Sequence, residues 1–231
     1  MSLDNDKHRN SPPHRVRVWD LPTRLFHWLL AICVIGLVVT GKVGGPATEW
    51  HARIGATVLA LLLFRLVWGF IGGRWSRFRT FVYAPGSVMA YISGRAHPDH
   101  LVGHNPLGAG SVFAMLLVLL AQAATGLFTD DEAGFTGPLN RFVSTARGLA
   151  LTSYHRNAGQ WLVLALVALH IAAIVFYERR KREQLVRPMI TGDKEVAHPA
   201  PSARDDATSR TVAVAVALAC AGLVTWITRL G

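Results

Sequence analysis

Apolar and polar stretches alternate along this chain on the scale of a lipid bilayer. Five apolar runs, at 25–43, 54–71, 111–128, 159–177 and 211–227, are separated by segments rich in charge, Pro and Gly. The first four run for about 18 residues each, roughly 27 Å of α-helix, which matches the hydrocarbon thickness of a membrane. A backbone in lipid must satisfy its own hydrogen bonds, so each run is expected to be a helix. The fifth run is shorter, rich in Ala and Val, and marginal as a span. The expected fold is therefore all-α: a polytopic membrane four-helix bundle with a fifth, C-terminal transmembrane helix.

Shorter signals fill in the connections. Asp20 and Pro22 stand where an N-cap and a first-turn proline of span one belong. The stretch 86–94 reads as a short interfacial helix, 130–154 as a polar outer loop able to dock a partner, and 191–210 as a flexible linker. In domain terms, 1–16 is an N-terminal arm, 17–182 the four-helix domain, 183–210 a polar linker and 211–231 the fifth helix. The arm holds acidic residues and prolines and has no apolar core before Leu25, so an uncleaved first span is expected rather than a signal peptide. Trp28, Trp50, Trp68, Trp75, Trp161 and Trp226 fall near span ends and fit an interfacial belt.

Composition agrees with this picture: 51% hydrophobic residues, 16% charged residues and a mean hydropathy of +0.31. The net charge of +10 raises the question of nucleic acid, but the charge has a topological explanation. Lys7, Arg9, Arg15, Arg17 and Arg24 precede span one, Arg74, Arg77, Arg79 and Arg95 follow span two, and Arg179, Arg180, Lys181 and Arg182 follow span four. All these fall on one side, whereas the acidic cluster Asp130, Asp131, Glu132 falls on the other. The asymmetry makes the N-terminus cytoplasmic and removes the case for nucleic acid. Cys33 and Cys220 lie inside apolar runs and read as small buried hydrophobes, not as a disulfide or metal motif.

Histidines carry the chemistry. Ionisable side chains inside membrane spans are costly and mark function. His27 lies one turn into span one, near the cytoplasmic face. His51 leads span two and His155 leads span four, both from the periplasmic side. His170 lies fifteen positions after His155, about 22 Å deeper and within about 60° of the same face. Depth therefore pairs His27 with His170 and His51 with His155. Two haems, each held by two neutral imidazoles, account for all four residues, and such six-coordinate iron favours electron transfer over chemistry at the metal. Gly55 and Gly159 each follow a histidine by four residues, giving HxxxG twice at the same end of a span. A missing side chain there leaves room for a flat macrocycle. Arg65, near the cytoplasmic end of span two, has two readings: snorkelling to the interface, or pairing with a haem propionate or a quinone carbonyl. His97, His100 and His104 are spaced H-x2-H-x3-H, which a metal could use, although the local Pro and Gly content describes a loop.

The segments VWDLPTRLFHW, HARIGATVLALLLFRLVWGFIG, GHNPLGAGSVFAMLLVLLAQAATGLF and YHRNAGQWLVLALVALH resemble, in order, the bacterial cytochrome b561 / nickel–iron hydrogenase b-type cytochrome family. The resemblance covers about 17–182 and stops short of the fifth span. It implies a bundle holding two b haems, with His27, His51, His155 and His170 as axial ligands, Arg65 as the family arginine of span two, and quinone as redox substrate. The expectation is an inner-membrane electron carrier between the quinone pool and a partner such as a periplasmic c-type cytochrome or a hydrogenase or dehydrogenase subunit. Two alternatives stand beside it: a superoxide:quinone oxidoreductase, and, from another class, a divalent-metal transporter, for which carboxylates inside the spans are missing.

Overall fold

A computed structural model describes residues 14–95, 97, 100, 102–132 and 134–231. Eight α-helices are found among them: α1 Leu21–Val43, α2 Ala47–Ile71, α3 Pro85–Ile92, α4 Pro106–Gly126, α5 Thr145–Tyr154, α6 Gln160–Phe176, α7 Val186–Thr191 and α8 Ala207–Thr228. Two strands, β1 His14–Arg17 and β2 Asp193–Val196, pair antiparallel. Five helical stretches are long and apolar enough to cross a membrane, among them α8 and a continuous helix from Thr145 to Lys181. The fifth run, marginal by sequence, is thus a helix of 22 residues, extended at its start by the Asp206 side chain, which accepts a hydrogen bond from Ser209 N–H.

The bundle is centred on α2, which packs against α1, α4 and α8, while α4 packs against α6. Phe26, Val58, Leu62, Phe64, Trp68, Leu116, Ala213 and Cys220 form the shared core. Large apolar side chains such as Ile32, Ile35, Leu117, Leu169 and Leu218 stay exposed on the outside, as a lipid-facing surface requires. Among the described residues, α6 packs closely along α4 but stands off α1 and α2. That leaves a seam in the bundle, and the histidines sit in it.

One end of the bundle is capped. Asp20 N-caps α1 through Thr23 N–H at 2.8 Å. It is fully buried and also accepts from Gly73 N–H at 2.8 Å, Ser76 Oγ–H at 3.1 Å and Trp68 Nε1–H at 3.2 Å. One carboxylate thereby ties the start of α1 to the end of α2 and to the 3-10 turn Arg74–Ser76. The β1–β2 pair covers this junction. Arg17 bridges Asp193 and Asp205 at 2.6 and 2.8 Å, and Trp75 Nε1–H donates to the Pro201 carbonyl at 2.9 Å.

Several sequence expectations change here. Segment 191–210 is not a free linker, because β2 pairs with the N-terminal arm and Val196 and Ala203 are buried beneath it. Three of the four residues of 193–196 are charged, so the segment carries no strand pattern until its partner lies beside it. The rest of the arm, 1–13, lies outside the described residues. Trp68 and Trp75 leave the expected interfacial belt: both are buried with their indole N–H groups bonded inside the cap, whereas Trp28, Trp50, Trp161 and Trp226 are exposed. The short helix expected at 86–94 appears as α3, and part of the outer loop 130–154 is α5.

Candidate functional site

The seam between α6 and the α1–α2 pair holds two pairs of imidazoles, one toward each end of the bundle. At the capped end, His27 of α1 faces His170 of α6, with ring centroids 6.3 Å apart. At the open end, His51 of α2 faces His155, with centroids 6.1 Å apart. The pairing expected from depth is the pairing that these helices make. It depends on a local irregularity, since α5 and α6 are joined by a π-helical turn, His155–Gly159. The extra residue in that turn re-aims His155 relative to the helix that carries His170, a use of π turns common at functional sites. Gln122 Nε2–H donates to the His155 carbonyl in this turn at 2.8 Å.

The open-end pair is held by a motif that occurs twice. His51 Nδ1 lies 3.1 Å from the Leu37 carbonyl and 3.2 Å from Thr40 Oγ1. His155 Nδ1 lies 2.9 Å from the Gln122 carbonyl and 3.4 Å from Thr125 Oγ1. A carbonyl only accepts, so both rings carry their proton on Nδ1, leaving the Nε2 lone pair free to bind a metal. Each threonine is followed by a glycine pressed against the same imidazole. A Cβ on Gly41 would lie 3.2 Å from His51 Cε1, and one on Gly126 would lie 3.1 Å from His155 Cε1. The sequence carried this signal as a Thr-Gly pair closing spans one and three, each ahead of an HxxxG, but only the HxxxG was read.

A cavity of about 820 Å³ opens at this end, lined by His51, His155, Gly41, Gly55, Gly126 and Val163 among others. Gly55 is among the residues that line it. Gly159 does not line it, for its bare Cα is closed over by the Gln122 carboxamide and Tyr154, so that its small size serves helix packing.

Around the capped-end pair the surroundings differ. His27 Nδ1 is buried and makes no hydrogen bond. Arg65 is 3% exposed, which sets aside snorkelling. Its guanidinium lies 4.7 Å from the Phe78 ring centre, and its Nη1 is buried without a partner. Phe26 and Phe64, the neighbours of His27 and Arg65 in sequence, meet at 6.4 Å, so both residues lie at one depth. His104 packs between Trp19 and Phe81 at 4.7 and 4.5 Å. Burial, with the Arg65 charge next in effect, pushes its imidazole down to about 3. His97 and His100 stand 5.8 Å apart and pack together elsewhere. The H-x2-H-x3-H spacing therefore builds no metal cluster, and no group of three or more His, Cys, Asp or Glu converges among the described residues.

Fold and site together define a multi-pass membrane helical bundle with paired histidines in an interior seam. Residues 18–192 match the family described as prokaryotic cytochrome b561, and the chain belongs to that family. It is a membrane b-type cytochrome of electron transfer, and the family implies haem b. Similar proteins include the probable Ni/Fe-hydrogenase 1 B-type cytochrome subunit of Escherichia coli K12, 26% identical over 209 residues, covering 76% of this chain and 88% of that one. The probable Ni/Fe-hydrogenase B-type cytochrome subunit of Rhizobium leguminosarum bv. viciae is 25% identical over 219 residues, covering 78% and 88%. That of Cupriavidus necator is 26% identical over 213 residues, covering 76% and 85%.

Proposed function

We propose that this chain is a diheme cytochrome of the bacterial inner membrane that passes electrons between a periplasmic oxidoreductase and the quinone pool. The observation that carries the reading is the spacing of the two imidazole pairs. With a metal–imidazole bond of about 2 Å on each side and each ring centre roughly 1 Å behind its nitrogen, two axial ligands place their centroids roughly 6 Å apart. Both pairs match that value, at 6.1 and 6.3 Å. Haem iron held by two imidazoles supplies one-electron transfer with no position open to substrate. His51 and His155 present Nε2 toward each other from rings fixed at Nδ1. His27 and His170 stand at a like separation at the other end, without a hydrogen bond at His27 Nδ1. Arg65, with an unpartnered Nη1 at the depth of His27, is placed to neutralise an anionic propionate, or to donate to a quinone carbonyl, in a low-dielectric setting.

Orientation follows from charge. The capped end carries Arg15, Arg17, Arg74 and Arg77 and becomes the cytoplasmic side, leaving the open end periplasmic. The names of the similar proteins make a nickel–iron hydrogenase the partner class to test first, docked at the open end. Purified protein is expected to show a b-type reduced-minus-oxidised spectrum with two haems per chain. A colourless preparation from haem-sufficient cells, or one haem per chain, overturns the reading. Reporter fusions at each terminus test orientation, and co-purification from native membranes tests the partner.

A further inference from the structure

Among the described residues, five buried side-chain polar atoms make no hydrogen bond, and four of them, Arg24 Nε, His27 Nδ1, Arg65 Nη1 and His104 Nδ1, belong to the capped end. Buried polar groups are ordinarily satisfied, so several left open at one place mark a missing partner. Asp20 does not fill that place. Its charge acts on Arg65, but its oxygens are taken by Thr23 N–H, Gly73 N–H, Ser76 Oγ–H and Trp68 Nε1–H, and Arg65 Nη1 stays open. Two of the open atoms come from opposite directions. Arg65 rises from α2 against Phe78. His104 hangs from the cap: its ring is gripped by Trp19 and Phe81, and Trp19 N–H is fixed on the Gly192 carbonyl at 3.1 Å. Val102, two residues before it, is buried in one apolar cluster with Trp19, Trp75, Val196 and Ala203. Phe78 and Phe81 meet at 5.9 Å, so Arg65 and His104 share one aromatic wall. The charges that act on His104 are those of Arg65, His27, His170 and Lys194. Such influence fades with distance, which puts the ring close to the capped-end pair.

We infer that Arg65 and His104 together bind the carboxylate groups of the haem held by His27 and His170, one donor from the bundle and one from the cap. This rests on the diheme reading above; it chooses between the two acceptors open to Arg65 and adds His104 as a cofactor-binding residue. A guanidinium sealed from water is stabilised best by an anionic oxygen, through a charge-assisted bond, and haem b carries two carboxylates along one edge. Arg24, three residues before His27 on the same face of α1, brings a second guanidinium to this end. Asp20 offsets one of these two cations, so the site takes the carboxylates by its open donors as much as by its charge. A neutral imidazole presents Nδ1–H without adding charge. Because the cap holds His104, the pairing of β1 with β2 also closes this edge of the cofactor off from water.

The test measures haem release from the full-length protein. In the His51→Ala background, which keeps the capped-end haem alone, transfer to apomyoglobin gives the off-rate. Losing a hydrogen bond to a charged group corresponds to roughly 10- to 100-fold, so Arg65→Gln and His104→Leu should each speed release by that order. His104→Asn, which keeps a donor near the place of Nδ1, should stay near the parent rate, and Arg65→Lys should fall between. Reloading with haem b dimethyl ester, which has no ionisable carboxylate, supplies the readout that a merely structural role would not move. The parent should release the ester roughly 10-fold or more faster than haem b, and Arg65→Gln and His104→Leu should bring the two rates together. A parent that holds ester and haem b equally overturns the inference and leaves Arg65 and His104 to a neutral acceptor. Variants that lose haem faster yet keep the parent's ester ratio overturn it too, because the residues then act on the fold. Either result leaves the diheme reading standing, whereas a protein without haem defeats that reading itself.

Discussion

Gly41 and Gly126 are the most direct handles on the open-end site, because each lies against an imidazole that the proposed function needs. In Gly126→Ala the new methyl group would stand 3.1 Å from His155 Cε1 and 3.5 Å from Nδ1. Carbon atoms in good contact sit about 3.5–4.0 Å apart, so the ring must yield by roughly 0.4 Å or more. It cannot yield freely, since its Nδ1–H is bonded to the Gln122 carbonyl at 2.9 Å. A shift of that size approaches the roughly 0.5 Å within which a metal or cofactor constellation must be held. Overpacking of this kind costs about 1–3 kcal/mol, equivalent to roughly 5- to 150-fold weaker retention of the group held by His51 and His155. Gly41→Ala meets His51 in the same way, at 3.2 and 3.3 Å. Gly110→Ala is the control: it lies on the same helix as Gly126, with nothing within 4 Å of the added Cβ. The assay is the haem-to-protein ratio after detergent washing, with transfer to apomyoglobin giving the off-rate. The two cradle variants are expected to lose haem from the open end and keep it at the capped end, with Gly110→Ala matching wild type. If both cradle variants retain two haems per chain at wild-type off-rates, the cradle argument is wrong.

Other outcomes follow from the same geometry. His170→Ala should cut the haem content to one per chain, and loss of both haems or of neither contradicts the pairing. Asp20→Ala removes the acceptor of four donors, Thr23 N–H, Gly73 N–H, Ser76 Oγ–H and Trp68 Nε1–H. Each donor left buried and unpaired costs about 1–3 kcal/mol, so a large drop in thermal stability is expected, with Asp20→Asn milder because one oxygen remains; an unchanged melting temperature for the Ala variant rejects this role for Asp20. His104 stays neutral in the fold down to about pH 3, whereas an unfolded histidine takes up its proton near pH 6.5. The stability tied to its burial is therefore fully present above about pH 6.5 and lost progressively as pH falls toward 3. The protection of amides in 14–20 and 193–196, taken relative to their intrinsic exchange rates at each pH, should fall between pH 7.5 and 5, and His104→Gln should remove much of that dependence.

Much of this molecule was legible in advance because membrane insertion leaves few choices. A run of about 18 apolar residues has one stable backbone in lipid, and a histidine inside it has few uses. The spans, the depths of His27, His51, His155 and His170, and their pairing follow from that. What escaped was whatever needed a second segment to become visible. The strand 193–196 reads as polar filler until 14–17 lies beside it. Trp68 and Trp75 read as interfacial until Asp20 and Pro201 are found against their N–H groups. Arg65 kept two readings until its burial beneath Phe78 was seen.

The cradle was missed for a different reason. Leu37-Thr40-Gly41 and Gln122-Thr125-Gly126 serve their histidines through a backbone carbonyl, a hydroxyl already bonded within its own helix, and an absent side chain. None of these is a chemical signature when read alone. The repeat becomes significant only when α1 is seen to hold the histidine that leads α2 in the way α4 holds the histidine of the π turn before α6. The second copy has to reach across the longer connection between α4 and α6, and the π turn lets His155 meet its cradle from there. The two grips need not share a helix geometry to present the same Nδ1 acceptor and the same glycine floor. That recurrence on unlike backbones argues that the grip on each imidazole, rather than the helix around it, is what this end of the bundle is built to provide.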